Sequence, residues 1–144
     1  MLKNLLLAAL LCLSSATCLA DDHPIPVEQL PAAAKTFIQQ NFPAQTIIYA
    51  ERDPEFSGTK YEARLDDGTK IEFDKKGNWD KVDCQTKPVP AALVPAPIAT
   101  YVSTTFPNTQ IVKIDKERFG YEIELSNDLE LKFNKKGALI GMDD

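Results

Sequence analysis

Histidine and cysteine are nearly missing from this chain of 144 residues, which holds one His and three Cys. Two of the cysteines, Cys12 and Cys18, stand very early. So few nitrogen and sulfur donors exclude a structural zinc site, which takes four. A serine or cysteine relay would have to run through His23, which sits in a Pro-rich stretch. The six glycines are scattered, mostly in turns, so no phosphate-cradling loop is present. Positive charge is also scarce: 16 Lys+Arg against 21 Asp+Glu leave a net charge of −5. That balance disfavours nucleic acid and anionic membrane surfaces, both of which reward basic patches. Carboxylates are plentiful, but their basic neighbours mark them as solvated faces. Asp66-Asp67-Gly68 and Asp74-Lys75-Lys76-Gly77 resemble calcium loops only superficially, since further oxygen ligands at the right spacing are missing. Catalysis is not expected, and no cofactor is implied.

What is present is an ordinary globular composition, 44% hydrophobic and 26% charged. Residues 1–20 carry Lys3, an apolar run from Leu5 to Leu13, and small residues up to Ala20. This is the layout of a secretory signal peptide, too short to span a membrane. Cleavage after Ala20 would remove Cys12 and Cys18 and leave Cys84 as the single thiol. The expected product is periplasmic or secreted, with no membrane attachment and a monomeric state. Lipid attachment at Cys18 ranks second, because Ser15-Ala16-Thr17 lacks the usual apolar and small residues. A dimer bridged through Cys84 also ranks below a partly buried small side chain.

The chain repeats itself. At an offset of 64, Pro24, Pro26, Pro31, Ala32, Thr36, Phe42, Pro43 and Ile47 recur as Pro88, Pro90, Pro95, Ala96, Thr100, Phe106, Pro107 and Ile111. At an offset of 60, Tyr61, Glu62, Leu65, Phe73, Lys75, Lys76, Gly77 and Asp83 recur as Tyr121, Glu122, Leu125, Phe133, Lys135, Lys136, Gly137 and Asp143. The change of offset marks a four-residue insertion within residues 53–59. Two copies of one unit follow, 24–84 and 88–144, with residues 85–92 as a linker that runs into the start of the second.

Each copy predicts a helix and then four strands. Leu30, Ala33, Ala34, Phe37 and Ile38 share one helical face, as do Val94, Pro97, Ile98, Tyr101 and Val102. Prolines fit only a first helical turn, and Phe42-Pro43 and Phe106-Pro107 stop the helices. Strands are expected over 47–52, 61–65, 69–73 and 79–84, then 111–115, 119–125, 129–133 and 139–142. Tyr61, Ala63, Leu65, Ile71 and Phe73 should face inward. Short loops between alternating strands mean antiparallel pairing. The fold class is therefore α+β: two tandem units, each one helix packed on a four-stranded antiparallel meander, able to join into one eight-stranded sheet. Glu62, Arg64, Lys70, Glu72, Glu122, Glu124, Glu130 and Lys132 would line the wet face.

This pattern resembles the PepSY-like domains of secreted bacterial proteins, also described as β-lactamase-inhibitor-like. The likeness rests on a leader and on helices ending in Asn41-Phe42-Pro43 and Thr105-Phe106-Pro107. It continues through Tyr61-Glu62-Ala63-Arg64-Leu65, Tyr121-Glu122-Ile123-Glu124-Leu125, and the paired segments Ile71 to Gly77 and Leu131 to Gly137. The resemblance implies an exported non-enzymatic domain that binds another protein on its exposed sheet, inhibition being one consequence. The named family target is structural analogy only, so the partner is an unspecified envelope protein or peptide.

Two sites can be named. Alignment matches Tyr49 with Lys113 and Trp79 with Leu139, and places Ile48 and Ala50 inward with Val112 and Ile114. That phase puts Tyr49 on the outer face, where Tyr49, Arg64, Lys70 and Trp79 would form a protein- or peptide-binding patch. Trp79 closing the edge of the core is the competing placement. Separately, cleavage after Ala20 would create the N-terminus Asp21-Asp22-His23. Its amine, two amides and imidazole offer the planar nitrogens that Cu(II) and Ni(II) prefer, the basis of an alternative small-ligand or metal-carrier function.

Overall fold

The computed structural model describes residues 23–55 and 58–144. Residues 1–22 lie outside that range, so the leader, the lipid-attachment alternative at Cys18, and Asp21 and Asp22 are not described.

The elements run β1 (His23–Pro24), α1 (Ala32–Asn41), β2 (Ile47–Glu55), β3 (Gly58–Leu65), β4 (Lys70–Phe73) and β5 (Trp79–Asp83). They continue with α2 (Ala96–Thr105), β6 (Ile111–Lys116), β7 (Gly120–Leu125), β8 (Glu130–Asn134) and β9 (Leu139–Asp143). Short 3-10 turns at Val27–Gln29 and Ala91–Leu93 precede the helices. Pro31 and Pro95 hold the position before each helix, where a missing N–H costs nothing. Phe42 and Phe106 end them in non-helical conformation, as the following prolines require.

The nine strands among the described residues form one antiparallel sheet in sequence order. The expected eight-stranded sheet thus gains β1, from the Pro-rich stretch that holds His23. Proline is tolerated there because β1 is an edge strand. The four-residue insertion lengthens the β2–β3 hairpin, which pairs out to Glu55↔Gly58. The units share their register: Ile47↔Leu65 and Ala50↔Ala63 in the first match Ile111↔Leu125 and Ile114↔Ile123 in the second. They also share their irregularities. The ladder slips between Ile47 and Tyr49 and between Ile111 and Lys113, then again before Phe73 and before Phe133. The units join through β5 and β6, where Lys81, Val82 and Asp83 oppose Asp115, Ile114 and Lys113.

The core lies between the helices and one sheet face. Leu30, Ala34, Ile38, Ile98 and Val102 meet Ala63, Leu65, Ile71, Val82, Ile114, Ile123, Leu125 and Leu131, all buried. One aromatic contact is built twice. Phe37 meets Phe73 edge-on, with centroids 5.7 Å apart, and Tyr101 meets Phe133 the same way at 5.5 Å. Gly77 and Gly137 adopt φ +87 and +79, and each turn presses on the first turn of its own helix. A Cβ at Gly77 would lie 2.9 Å from Ala34 N and Pro31 Cβ; one at Gly137 would lie 2.7 Å from Pro97 Cβ.

Candidate functional site

The sheet face away from the helices is a lattice of charge. Strand registers align Glu51, Glu62, Glu72, Lys81, Asp115, Glu122 and Lys132 in one row across seven strands. A second row holds Tyr49, Arg64, Lys70, Asp83, Lys113, Glu124, Glu130 and Asp143. Facing side chains in such rows stand about 5 Å apart, so cations and acids meet. Lys81 lies 3.8 Å from Glu72 and 3.9 Å from Asp115. Lys132 lies 3.8 Å from Glu122 and 2.9 Å from Asp143, and Lys113 lies 3.5 Å from Glu124. Exposed pairs of this kind add little to stability, because water screens them. Burial at the junction pushes the Asp115 carboxyl up to about 6, against the pull of Lys81 and Lys113.

At the β2 end of these rows the chemistry changes. The Arg64 guanidinium lies 4.7 Å from the centre of the Tyr49 ring, a cation–π contact. Its Nε donates to Glu62 Oε1 at 2.6 Å, and its Nη2 lies 3.8 Å from Glu51 Oε2. The Tyr49 hydroxyl donates to the same Glu51 oxygen at 2.8 Å. Glu51 is only 7% exposed, so a buried carboxylate fixes both the phenol and the guanidinium. Lys70 stands exposed opposite Arg64. Beside them Ile48 is 65% exposed.

The structure brings Tyr49, Arg64 and Lys70 together on the outer face and places Trp79 on the opposite side. Trp79 is opposite Phe73 in the ladder and stacks on Phe37 of α1, centroids 6.1 Å apart. It belongs to the rim of the core, the competing placement named above. The cause is the irregularity before Phe73, where an extra residue on β5 resets which side chains face inward. The inward placement of Ile48 is also corrected, although Ala50 is buried as expected. The same slip in the second unit leaves Val112 buried, so Ile48 is exposed by its place near the sheet edge, beyond the β1 pairing, whereas the Val112 carbonyl accepts from Cys84 N–H. No residue count along the strand could have located these slips.

His23 lies in β1 opposite Arg52 and is exposed. Ile25 N–H donates to Ala50 O at 3.0 Å, and antiparallel bonding alternates every two residues. His23 and Arg52 therefore form the next bonded pair. A Cu(II) or Ni(II) ion taking the His23 amide would have to break that pairing. Among the described residues no group of three or more His, Cys, Asp or Glu side chains is arranged to hold a metal ion. Cys84 is buried, and desolvation pushes its thiol up to about 11. Among the described residues no helix is long and apolar enough to cross a membrane.

Relatives with the same architecture are known. A family model described as "Putative beta-lactamase-inhibitor-like, PepSY-like" matches residues 19–66 and 59–141. A solved structure from Bacteroides thetaiotaomicron, described as a "putative calcium-regulated periplasmic protein", is 43% identical with a TM-score of 0.81. It covers 85% of this chain, and 97% of its own length is matched. Two "putative periplasmic" proteins from Bacteroides vulgatus are also similar. One, from the DUF2874 family, is 40% identical with a TM-score of 0.81, covering 86% of this chain and 98% of its own. The other, of unknown function, is 32% identical with a TM-score of 0.83, covering 86% and 100%. No curated protein matches the chain. With both units spanned by the family model and nearly the whole of each relative matched, this chain belongs to the PepSY-like, beta-lactamase-inhibitor-like family.

Proposed function

We propose that this protein is a non-enzymatic binding module of the periplasm that takes a protein partner on the outer sheet face, at Ile48, Tyr49, Arg64 and Lys70. One observation carries the reading: the two units keep the same buried side but differ at these positions. Lys113, Glu124 and Glu130 stand where the first unit has Tyr49, Arg64 and Lys70. In the second unit Lys113 and Glu124 make an ordinary ion pair, and Val112 is only 4% exposed where Ile48 is 65% exposed. The first unit thus presents an aromatic ring, an exposed aliphatic side chain and two cations, held by a buried carboxylate on an otherwise acidic protein. Tyr and Arg in fixed geometry are the residues that anchor protein interfaces. Family membership and relatives described as periplasmic support the compartment and the absence of catalysis. One relative is described as calcium-regulated; in this chain the paired cations on the outer face favour a protein partner over a divalent ion.

The test is capture from the envelope extract of the native organism. Immobilised wild-type chain should retain a protein that the folded double variant Tyr49→Ala, Arg64→Ala releases. Identical captured sets for both chains would remove the proposal.

A further inference from the structure

The duplication shows one segment in two settings. In the first unit the arm His23-Pro24-Ile25 lies on the edge of β2, with His23 opposite Arg52, Pro24 opposite Glu51, and Ile25 N–H donating to Ala50 O. Its counterpart in the second unit is Lys87-Pro88-Val89. There Val89 N–H donates to Ile111 O at 2.8 Å, and Ile111 corresponds to Ile47 rather than to Ala50. The arm has slid toward the start of its strand. The stretch it leaves free, Lys113 to Asp115, is paired with β5. In the first unit, therefore, the arm covers an edge that in the second unit receives a strand.

β9 is the counterpart of that strand, with Gly141, Met142 and Asp143 standing for Lys81, Val82 and Asp83. Among the described residues nothing pairs with the outer edge of β9. Val82 is fully buried at the junction, whereas Met142 is 48% exposed. Near the opposite edge of the sheet Ile48 is 65% exposed, whereas its counterpart Val112, on β6 beside Cys84 at the junction, is 4% exposed. Both ends of the sheet thus expose an apolar side chain that the internal junction buries.

We infer that the arm is a displaceable edge cap, and that on its withdrawal β2 accepts β9 of a second copy of this chain. The pairing repeats the β5–β6 register, Gly141 opposite Glu51, Met142 opposite Ala50 and Asp143 opposite Tyr49. The charges agree. Asp143 comes up to the Arg64 guanidinium beside Tyr49, as Asp83 stands opposite Lys113 in the β5–β6 ladder. Gly141 supplies no cation, but the Lys132 stem lies over it, within 3.5 Å of where a Cβ would stand. Its ammonium, which holds Asp143 at 2.9 Å within the chain, would then face Glu51 as Lys81 faces Asp115. Such a contact is head-to-tail and builds open chains of copies. Pro24 in the arm, which offers no ladder N–H, keeps the resting edge blunt.

The test uses the chain beginning at Asp21, with Cys84 in place. Tyr49→Cys and Asp143→Cys proteins are mixed in a glutathione redox buffer, with Lys135→Cys replacing Asp143→Cys as control. A mixed disulfide several-fold above the control, and higher still when Ile25→Ser loosens the arm, is the expected result. In sedimentation, the proteins without an introduced cysteine (wild type and Ile25→Ser) should show concentration-dependent growth that Met142→Lys abolishes. Yields no greater than the control, or monomers at every concentration even with Ile25→Ser, would overturn the inference. So would growth that survives Met142→Lys. Met142 lies outside the face patch, so failure here leaves the partner-capture result to stand or fall separately.

Discussion

Lys116 holds its ammonium 3.7 Å from the centre of the Trp79 ring, and the two residues come from different units of the repeat. The indole is therefore gripped between Phe37 of its own unit and a cation of the next. Leu139 holds the equivalent place in the second unit. Trp79→Leu should destabilise by about 1–3 kcal/mol through lost aromatic packing. A double-mutant cycle with Lys116→Met should give a coupling of roughly 0.5–2 kcal/mol. Urea unfolding of the four proteins measures it, and additive effects would mean that the ring and the cation are independent.

Gly77→Ala and Gly137→Ala combine a strained positive φ with a collision against the helix start. Each should cost about 2–4 kcal/mol. Gly68 provides the control: its φ is +90, but the nearest atom to an added Cβ is 3.8 Å away on a flexible Gln85. Gly68→Ala should therefore cost only about 1 kcal/mol. Thermal unfolding of the three variants separates backbone strain from contact with the helix.

Asp74 Oδ1 accepts the Lys76 and Asn78 N–H groups at 2.8 and 2.9 Å, and Asn134 Oδ1 accepts those of Lys136 and Ala138 in the second unit. An amide oxygen thus does the same work as a carboxylate. Asp74→Asn should leave stability at neutral pH nearly unchanged, whereas Asp74→Ala should cost about 1–2 kcal/mol. Although desolvation opposes it, hydrogen bonding from Asn78 and Lys76 holds the Asp74 carboxyl below its usual range. Its contribution is present above the ordinary carboxylate range and is lost as pH falls through the lowered folded value. The Asn variant should lack that acid loss in a pH series of unfolding curves.

Asp115 works in the opposite direction. Its carboxyl titrates near 6 in the folded chain against an ordinary value of 3.8. The folded state then holds a proton that the unfolded chain has released, so stability falls as pH rises from about 4 to 6. Asp115→Asn cannot ionise and should be more stable than wild type at pH 7 by about 1 kcal/mol, discounted for solvent screening. The advantage should fade toward pH 4. A variant less stable than wild type at pH 7 would show that Lys81 and Lys113 outweigh the desolvation.

Cys84 is 3% exposed, and its thiol is pushed up to about 11 by burial. It should resist alkylation in buffer at neutral pH and react only as fast as the chain opens. Labelling followed by mass spectrometry tests this, and rapid modification of folded protein would count against the packing described here.

The duplication, the helix positions and the inward sets were legible because they depend on local rules. Proline punctuation marks where Ala32 and Ala96 begin their helices, and period-two alternation marks Tyr61, Ala63 and Leu65 as inward. The Tyr49, Arg64 and Lys70 grouping was legible too, since strand order and hairpin lengths fix it. Ile48 was not, and Trp79 was legible only as two competing placements, of which the core edge is the one observed. Trp79 adjoins a ladder slip that resets which side chains of β5 face inward, and Ile48 lies beyond the β1 pairing, whereas its counterpart Val112 beside the same slip is covered at the β5–β6 junction. Whether a slip occurs depends on how the flanking strands and α1 pack, which no local pattern encodes. By itself the sequence determined a doubled helix-and-meander unit, because burial of its repeating apolar positions leaves no other economical arrangement. Tertiary structure decided that the two meanders share one sheet, that β1 caps its edge, and that Trp79 lies against Phe37. Those outcomes come from hydrogen bonds and contacts between residues far apart in the chain.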